Sequence, residues 1–192
     1  MCIHTGLDID YEGKYVKTAD EDKIWTVSFN SEGEKTPVLM VHGFGAGLGM
    51  WVLNIKELSR TRPVHTFDLL GFGRSARPSF GEEPEDVEEK FVTSIEDTRK
   101  QLGLEAFILI GHSFGGYLAY SYAIKYPEMV KSLILVDPWG FSDEVPDREQ
   151  STTVPKWSKV MAAVLSPFNP YATLRLVGPL GRLVLSQSFH ST

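Results

Sequence analysis

Four apolar runs constrain this chain more than any other feature. They are "TPVLMVHGF" (36–44), "PVHTFDLLGFG" (63–73), "EAFILIGH" (105–112) and "VKSLILVDPWG" (130–140). Each is continuous rather than alternating, and each runs into a turn that contains glycine. A strand with one wet face alternates apolar and polar residues. A strand buried on both faces does not, and such strands belong to parallel sheets covered by helices. The intervals between the runs carry helical spacing. Leu48, Trp51, Val52, Ile55 and Leu58 share one face of a first helix. Phe91, Val92, Ile95, Thr98 and Leu102 mark a second, which Gly103 closes. "FGGYLAYSYAIKY" (114–126) is a third, with small residues on one side and Pro127 as its stop. Alternating strands and helices predict an α/β fold, a mainly parallel sheet with helices on both faces. Ahead of it, "KIWTVSF" (23–29) alternates strictly and takes "GKYVKTA" (13–19) as its hairpin partner.

Residues 1–142 are therefore read as the core. From Asp143 the pattern changes to a polar connection and then to apolar, basic sequence broken by proline and glycine. Trp157, Val160, Met161, Val164, Leu165 and Phe168 fall at helical spacing, so 143–192 is read as a partial helical cap over the sheet. Its greasy, basic side also suits contact with lipid.

Ligands of such sheets sit at the carboxyl ends of the strands. Three stretches lie there: "HGFGAG", "DLLGFGRS" and "GHSFGG". Residues 111–115, "GHSFG", match the nucleophile elbow, in which a serine is held on a sharp strand-to-helix turn. Gly111 and Gly115 must lack side chains because neighbouring turns approach closely. A buried strand before the motif and a helix after it supply the required context, so Ser113 is the candidate nucleophile. A tetrahedral intermediate needs two backbone N–H donors aimed at its oxyanion. Phe114, just after the serine, is one candidate. Phe44, in the loop His42–Gly43–Phe44–Gly45, is the other. His42 then shapes that loop and is not a base. His112 is expected to point away from the pocket, His65 to sit mid-strand, and His4 and His190 to lie near the chain ends.

The 192 residues suit one domain, and the formal net charge of −6 does not favour nucleic acid. One cysteine, Cys2, allows no internal disulfide and fits a reducing compartment. The N-terminus has acids early and no apolar core, unlike a signal peptide. No apolar run approaches the roughly 20 residues that span a bilayer. The glycine-rich "GFGAGLG" lacks the spacing and the lysine of nucleotide-binding loops. No cofactor and no metal are expected.

These stretches also carry a resemblance. "VHGFGAGLGMWVLNI", "VHTFDLLGFGRSARPSF", "FILIGHSFGGYLAYSYAIKYPEMVKSLILVDPWGF" and "SPFNPYATLRLVGPLG" resemble one branch of the α/β-hydrolase superfamily. That branch holds the lyso-N-acylphosphatidylethanolamine hydrolase and the lipid-droplet coactivator of a triglyceride lipase. The resemblance implies an α/β-hydrolase fold and a serine hydrolase acting on acyl esters of (lyso)phospholipids. It also implies a cytoplasmic protein, peripheral on lipid droplets or intracellular membranes, with a lipid substrate and a lipase as a partner. Its alternatives are a non-catalytic lipase coactivator and a lysophosphatidic acid acyltransferase. The His-x4-Asp motif of the acyltransferase reading is absent. In this architecture the triad acid follows the seventh strand and the histidine the eighth. The chain is thus expected to be truncated, with the last strands missing, and nearly inactive alone. Asp137 is read first as a strand-end residue that holds the turn and second as a stand-in for the acid, since some relatives place it after strand six.

Overall fold

The computed structural model describes residues 9–141. Within them β1 (Glu12–Lys17) and β2 (Lys23–Phe29) form the expected antiparallel hairpin. β3 (Val38–Val41), α1 (Val52–Ser59), β4 (Val64–Phe67), α2 (Pro84–Gln101), β5 (Phe107–His112), α3 (Phe114–Lys125) and β6 (Val130–Val136) follow. A 3-10 turn, Leu48–Trp51, leads into α1. The six strands make one sheet in the order β1-β2-β4-β3-β5-β6. β2 meets β4 antiparallel, and β4, β3, β5 and β6 run parallel. The mainly parallel α/β sheet read from the four apolar runs is the architecture observed.

The period of two explains the double burial. Leu39 and Val41 of β3 and Leu109 of β5 join Phe91, Ile95, Leu118 and Tyr122 beneath α2 and α3. Their neighbours Val38, Met40 and Ile110 face the other way, onto Trp51 and Ile55 at the start of α1. One sheet thus separates two cores, and neither face of β3 is polar.

Three expectations shift. The strands proper are shorter than the apolar runs, because in three of the four the last residues form the loops at the carboxyl ends, while β5 instead begins two residues late. α2 begins seven residues before Phe91: Pro84 opens it, and Glu85 and Asp86 occupy a first turn that favours acids. β6 was read as buried, yet Ile134 and Val136 are 45% and 40% exposed. Among the described residues β6 is the sheet edge, with β5 as its single neighbour. The cap expected over 143–192 lies outside the described residues, as do Cys2, His4 and His190.

Candidate active site

The carboxyl ends of β3, β4, β5 and β6 lead into four loops, and Ser113 stands where β5 becomes α3. Its backbone has φ 53° and ψ −120°. A non-glycine residue there is strained by roughly 1–3 kcal/mol and persists only where its surroundings fix it. Those surroundings are visible. The Ser113 N–H donates to Val136 O at 3.0 Å, and Ser113 O accepts from the N–H groups of Gly116, Tyr117 and Trp139 at 2.9, 3.1 and 3.0 Å. The elbow is therefore tied to α3 and to the loop after β6 at once.

The glycines are dictated by clearance. A Cβ on Gly111 would meet Gly116 Cα at 2.7 Å and Ala119 Cβ at 2.8 Å, and one on Gly115 would meet Val41 O at 2.5 Å. A Cβ on Gly43 would lie 3.1 Å from Ser113 Cβ and 2.9 Å from His112 Nδ1. The loop after β3 thus presses directly on the elbow. That loop turns at Gly43–Ala46, closed by Ala46 N–H to Gly43 O, with Gly45 at φ 71°. Phe44 projects from the turn, 54% exposed. Its ring meets Phe114 edge-on at 6.5 Å and Phe72 at 5.5 Å. Phe114 is the first residue of α3, where N–H groups have no carbonyl behind them in the helix. Phe44 and Phe114 therefore approach each other from the β3 loop and the start of α3.

None of the described histidines is hydrogen-bonded to Ser113. His42 is fully buried; its Nδ1–H donates to Gly43 O at 2.8 Å and its Nε2 accepts from the Leu69 N–H at 2.9 Å. Both bonds together demand the neutral ring, and burial lowers its pKa, against the opposing pull of the Gly43 carbonyl and Asp68. His42 joins the β3 loop to the β4 loop. His65 is buried at mid-strand with Nδ1 2.8 Å from Ser28 Oγ, and burial and then Lys14 bring its pKa down to about 4. His112 turns to the α1 side of the sheet, 6.4 Å from the Trp51 ring. His112 Nδ1 and Trp51 Nε1 are buried without a hydrogen bond among the described residues. Ser113 makes no side-chain capping bond, and among the described residues no imidazole reaches its hydroxyl. Asp137 follows β6 at φ 45°, exposed and beside the elbow, with no histidine bonded to it there.

One organising residue was not singled out from the sequence. Asp68, 4% exposed, accepts from the Leu48 N–H and from the Arg74 N–H, both at 2.8 Å. It stitches the β3 and β4 loops together beneath Phe72 and Phe44. Gly73, at φ 46°, leaves no room for a Cβ beside the Asp68 carboxylate. The signal was present in "DLLGFGRS": an acid at a strand end, followed by close glycines. Among the described residues no group of His, Cys, Asp and Glu is arranged to hold a metal. No helix there is long and apolar enough to cross a membrane.

Comparison with known proteins follows the same outline. A family model described as alpha/beta hydrolase fold matches residues 36–187. The chain is 54% identical over 176 residues to a (Lyso)-N-acylphosphatidylethanolamine lipase of Bos taurus, covering 91% of this chain and 52% of that protein. It is 49% identical over 172 residues to the human 1-acylglycerol-3-phosphate O-acyltransferase ABHD5, covering 89% and 49%. The chain thus spans about half the length of these curated relatives. The crystal structure of a serine hydrolase from Cycloclasticus zankles superposes with a TM-score of 0.63 at 20% identity, covering 67% of this chain and 46% of that one; at that identity it supports the fold alone.

Proposed function

This chain belongs to the α/β-hydrolase family, and from that premise we propose that it carries the nucleophile half of a serine hydrolase acting on acyl esters of (lyso)phospholipids. Ser113 Oγ attacks the ester carbonyl carbon, and the carbonyl oxygen becomes an oxyanion held by the N–H groups of Phe44 and Phe114. Collapse expels the deacylated lipid as an alcohol, which takes up the proton that the base removed from Ser113, and leaves an acyl-serine, which water then hydrolyses. His42, Gly43, Gly45, Gly111 and Gly115 shape the loops that carry these groups. The observation that carries the reading is the backbone of Ser113, at φ 53° in a turn that admits only glycine at positions 111 and 115. The 54% identity to a (lyso)-N-acylphosphatidylethanolamine lipase supports the lipid class. Exposed Phe44, Trp139 and Phe141 near the strand ends support work at a lipid surface, on membranes or droplets.

The serine needs a base. His42 and His65 are hydrogen-bonded elsewhere and His112 turns away, so among the described residues none serves. Asp137, without an imidazole, is an acid with nothing to orient. The base and its acid belong outside residues 9–141. We propose residues 143–192 as a partial cap segment.

The likeness to a 1-acylglycerol-3-phosphate O-acyltransferase favours a second reading, acyl transfer to lysophosphatidate. Release of fatty acid from lyso-N-acylphosphatidylethanolamine, assayed beside acyl transfer from acyl-CoA to lysophosphatidate, separates the two. We expect slow fatty-acid release by the 192-residue chain, and a faster, Ser113-dependent release when imidazole is added. The rate without imidazole should lie in the range that oxyanion donors and binding support without a triad, about 10³–10⁴-fold over water. Acyl transfer that persists in Ser113→Ala would support the second reading instead.

A further inference from the structure

The loop from β4 runs into α2 through "SFGEEPEDVEE" (79–89), a stretch that the chemistry above leaves unused. Ser79 stands three residues before Glu82 and four before Glu83. A serine kinase with a basic substrate groove reads a hydroxyl followed by acids, because opposite charges steer and orient the two chains. The spacing alone does not single out Ser79. Among the described residues Thr18, Ser31, Thr93 and Ser94 also have an acid three places on.

The fold separates these hydroxyls. Thr18 and Ser94 are 7% and 2% exposed. Thr93 lies within α2, and its hydroxyl donates to Glu89. Ser31 sits in a tight turn closed by the Gly33 N–H to Asn30 O at 3.0 Å, with Asn30 at φ 50°. Of the five, only Ser79 is exposed in a stretch without regular structure, 76–81, and residues 81–86 beyond it are exposed as well. A kinase can seat such a stretch without opening a helix or a ladder. The Ser79 hydroxyl makes no hydrogen bond among the described residues. The cations ahead of it are engaged: the Arg77 guanidinium donates to Ser75 O and Gly73 O, both at 3.1 Å, and the Arg74 guanidinium lies 4.0 Å over the Trp25 ring. A kinase that reads upstream arginines finds both tied into the fold, whereas one that reads downstream acids finds Glu82 and Glu83 open. A receiver for the phosphate is also in place. Lys90 Nζ donates to Ser79 O at 3.4 Å, and its carboxylate neighbours Asp22 and Asp20 stand back at 3.6 and 3.9 Å.

We propose that Ser79 is a phosphorylation site for an acid-directed serine kinase, and that Lys90 pairs with the phosphate. Ser79 Oγ bonds to the terminal phosphorus of ATP, the bond from that phosphorus to the ADP oxygen breaks, and the hydroxyl proton passes to the kinase's base. The product carries about 1.5–2 negative charges and three acceptor oxygens. Those charges arrive one residue from Phe80, which stacks on Phe91 at 4.9 Å, and Phe91 stands across Phe114 of the elbow at 5.4 Å.

The test incubates the 192-residue chain with casein kinase 2 and ATP and maps the phosphate by peptide mass spectrometry. Phosphate should sit on Ser79 and be absent from Thr18, Ser31, Thr93 and Ser94. Glu82→Gln combined with Glu83→Gln should lower the kinase's kcat/KM about tenfold, as the loss of two exposed charge contacts does. Both side chains are exposed, so the fold stays intact. Ser113→Ala should leave the phosphorylation unchanged, so this site and the hydrolase reading fail separately. In phosphorus NMR spectra of the product, Lys90→Met should raise the phosphate's second pKa by about 0.5. No phosphate on Ser79, phosphate on Ser31 in its place, a rate indifferent to Glu82 and Glu83, or a phosphate pKa indifferent to Lys90 would overturn the proposal.

Discussion

Ser113 occupies a conformation that serine avoids, and the residues around it are selected by what they lack. The Gly115 Cβ position lies 2.5 Å from Val41 O. Gly115→Ala should therefore cost about 3 kcal/mol or more in urea unfolding, since backbone must move to admit one methyl group. This part of the site was legible in the sequence, because glycine in "GHSFG" answers a local steric need. Asp68 was not. Its bonds to Leu48 and Arg74 join positions brought together only by the sheet, and nothing local marks a carboxylate that two loops share. The buried histidines carry their own prediction. His65 is held near pH 4 when folded and titrates near 6.5 when unfolded. Between these values the unfolded chain binds the extra proton. The contribution is therefore fully present above about pH 6.5 and is lost as pH falls towards 4. It amounts to about 3 kcal/mol. Urea midpoints measured from pH 7 to 4.5 should fall, and His65→Gln should flatten the fall by about one proton.

α2 and α3 show how far an element can be read before its partners are known. The apolar stripe from Phe91 to Leu102 marked the buried face of α2, but its first turn was legible only through Pro84 and the acids behind it. What fastens it to α3 is polar and buried. Glu96, 5% exposed, accepts from Arg99 Nε and one terminal Arg99 nitrogen, both at 2.8 Å, and from the Tyr122 hydroxyl at 2.7 Å. Burial raises the Glu96 carboxyl, but the bonds from Arg99 and Tyr122 outweigh it and hold the pKa at about 2. Arg99 and Glu96 are three residues apart on a helix and were visible as a pair. Tyr122 sits 26 residues away and was hidden among the apolar residues of α3. Tyr122→Phe keeps the ring and removes one bond to a charged group. It should lower the unfolding free energy by about 2 kcal/mol with no change in m-value. A loss below about 0.5 kcal/mol would mean that Arg99 alone satisfies the carboxylate.

At the scale of the molecule, the order β1-β2-β4-β3-β5-β6 brings four loops to one end of the sheet. The sheet was legible because doubly buried strands have their own signature; β6 misled because an apolar run does not say whether anything covers it. The elbow and the two flanking loops assemble within residues 9–141, whereas no base does. That separation yields the most direct test of Ser113 as the nucleophile. The 192-residue chain is treated with a fluorophosphonate, with and without added imidazole, and the adduct is mapped by peptide mass spectrometry. The expected result is a slow adduct on Ser113, accelerated by imidazole and absent in Ser113→Ala. An adduct spread over other serines, or none on Ser113 even with imidazole, would contradict it.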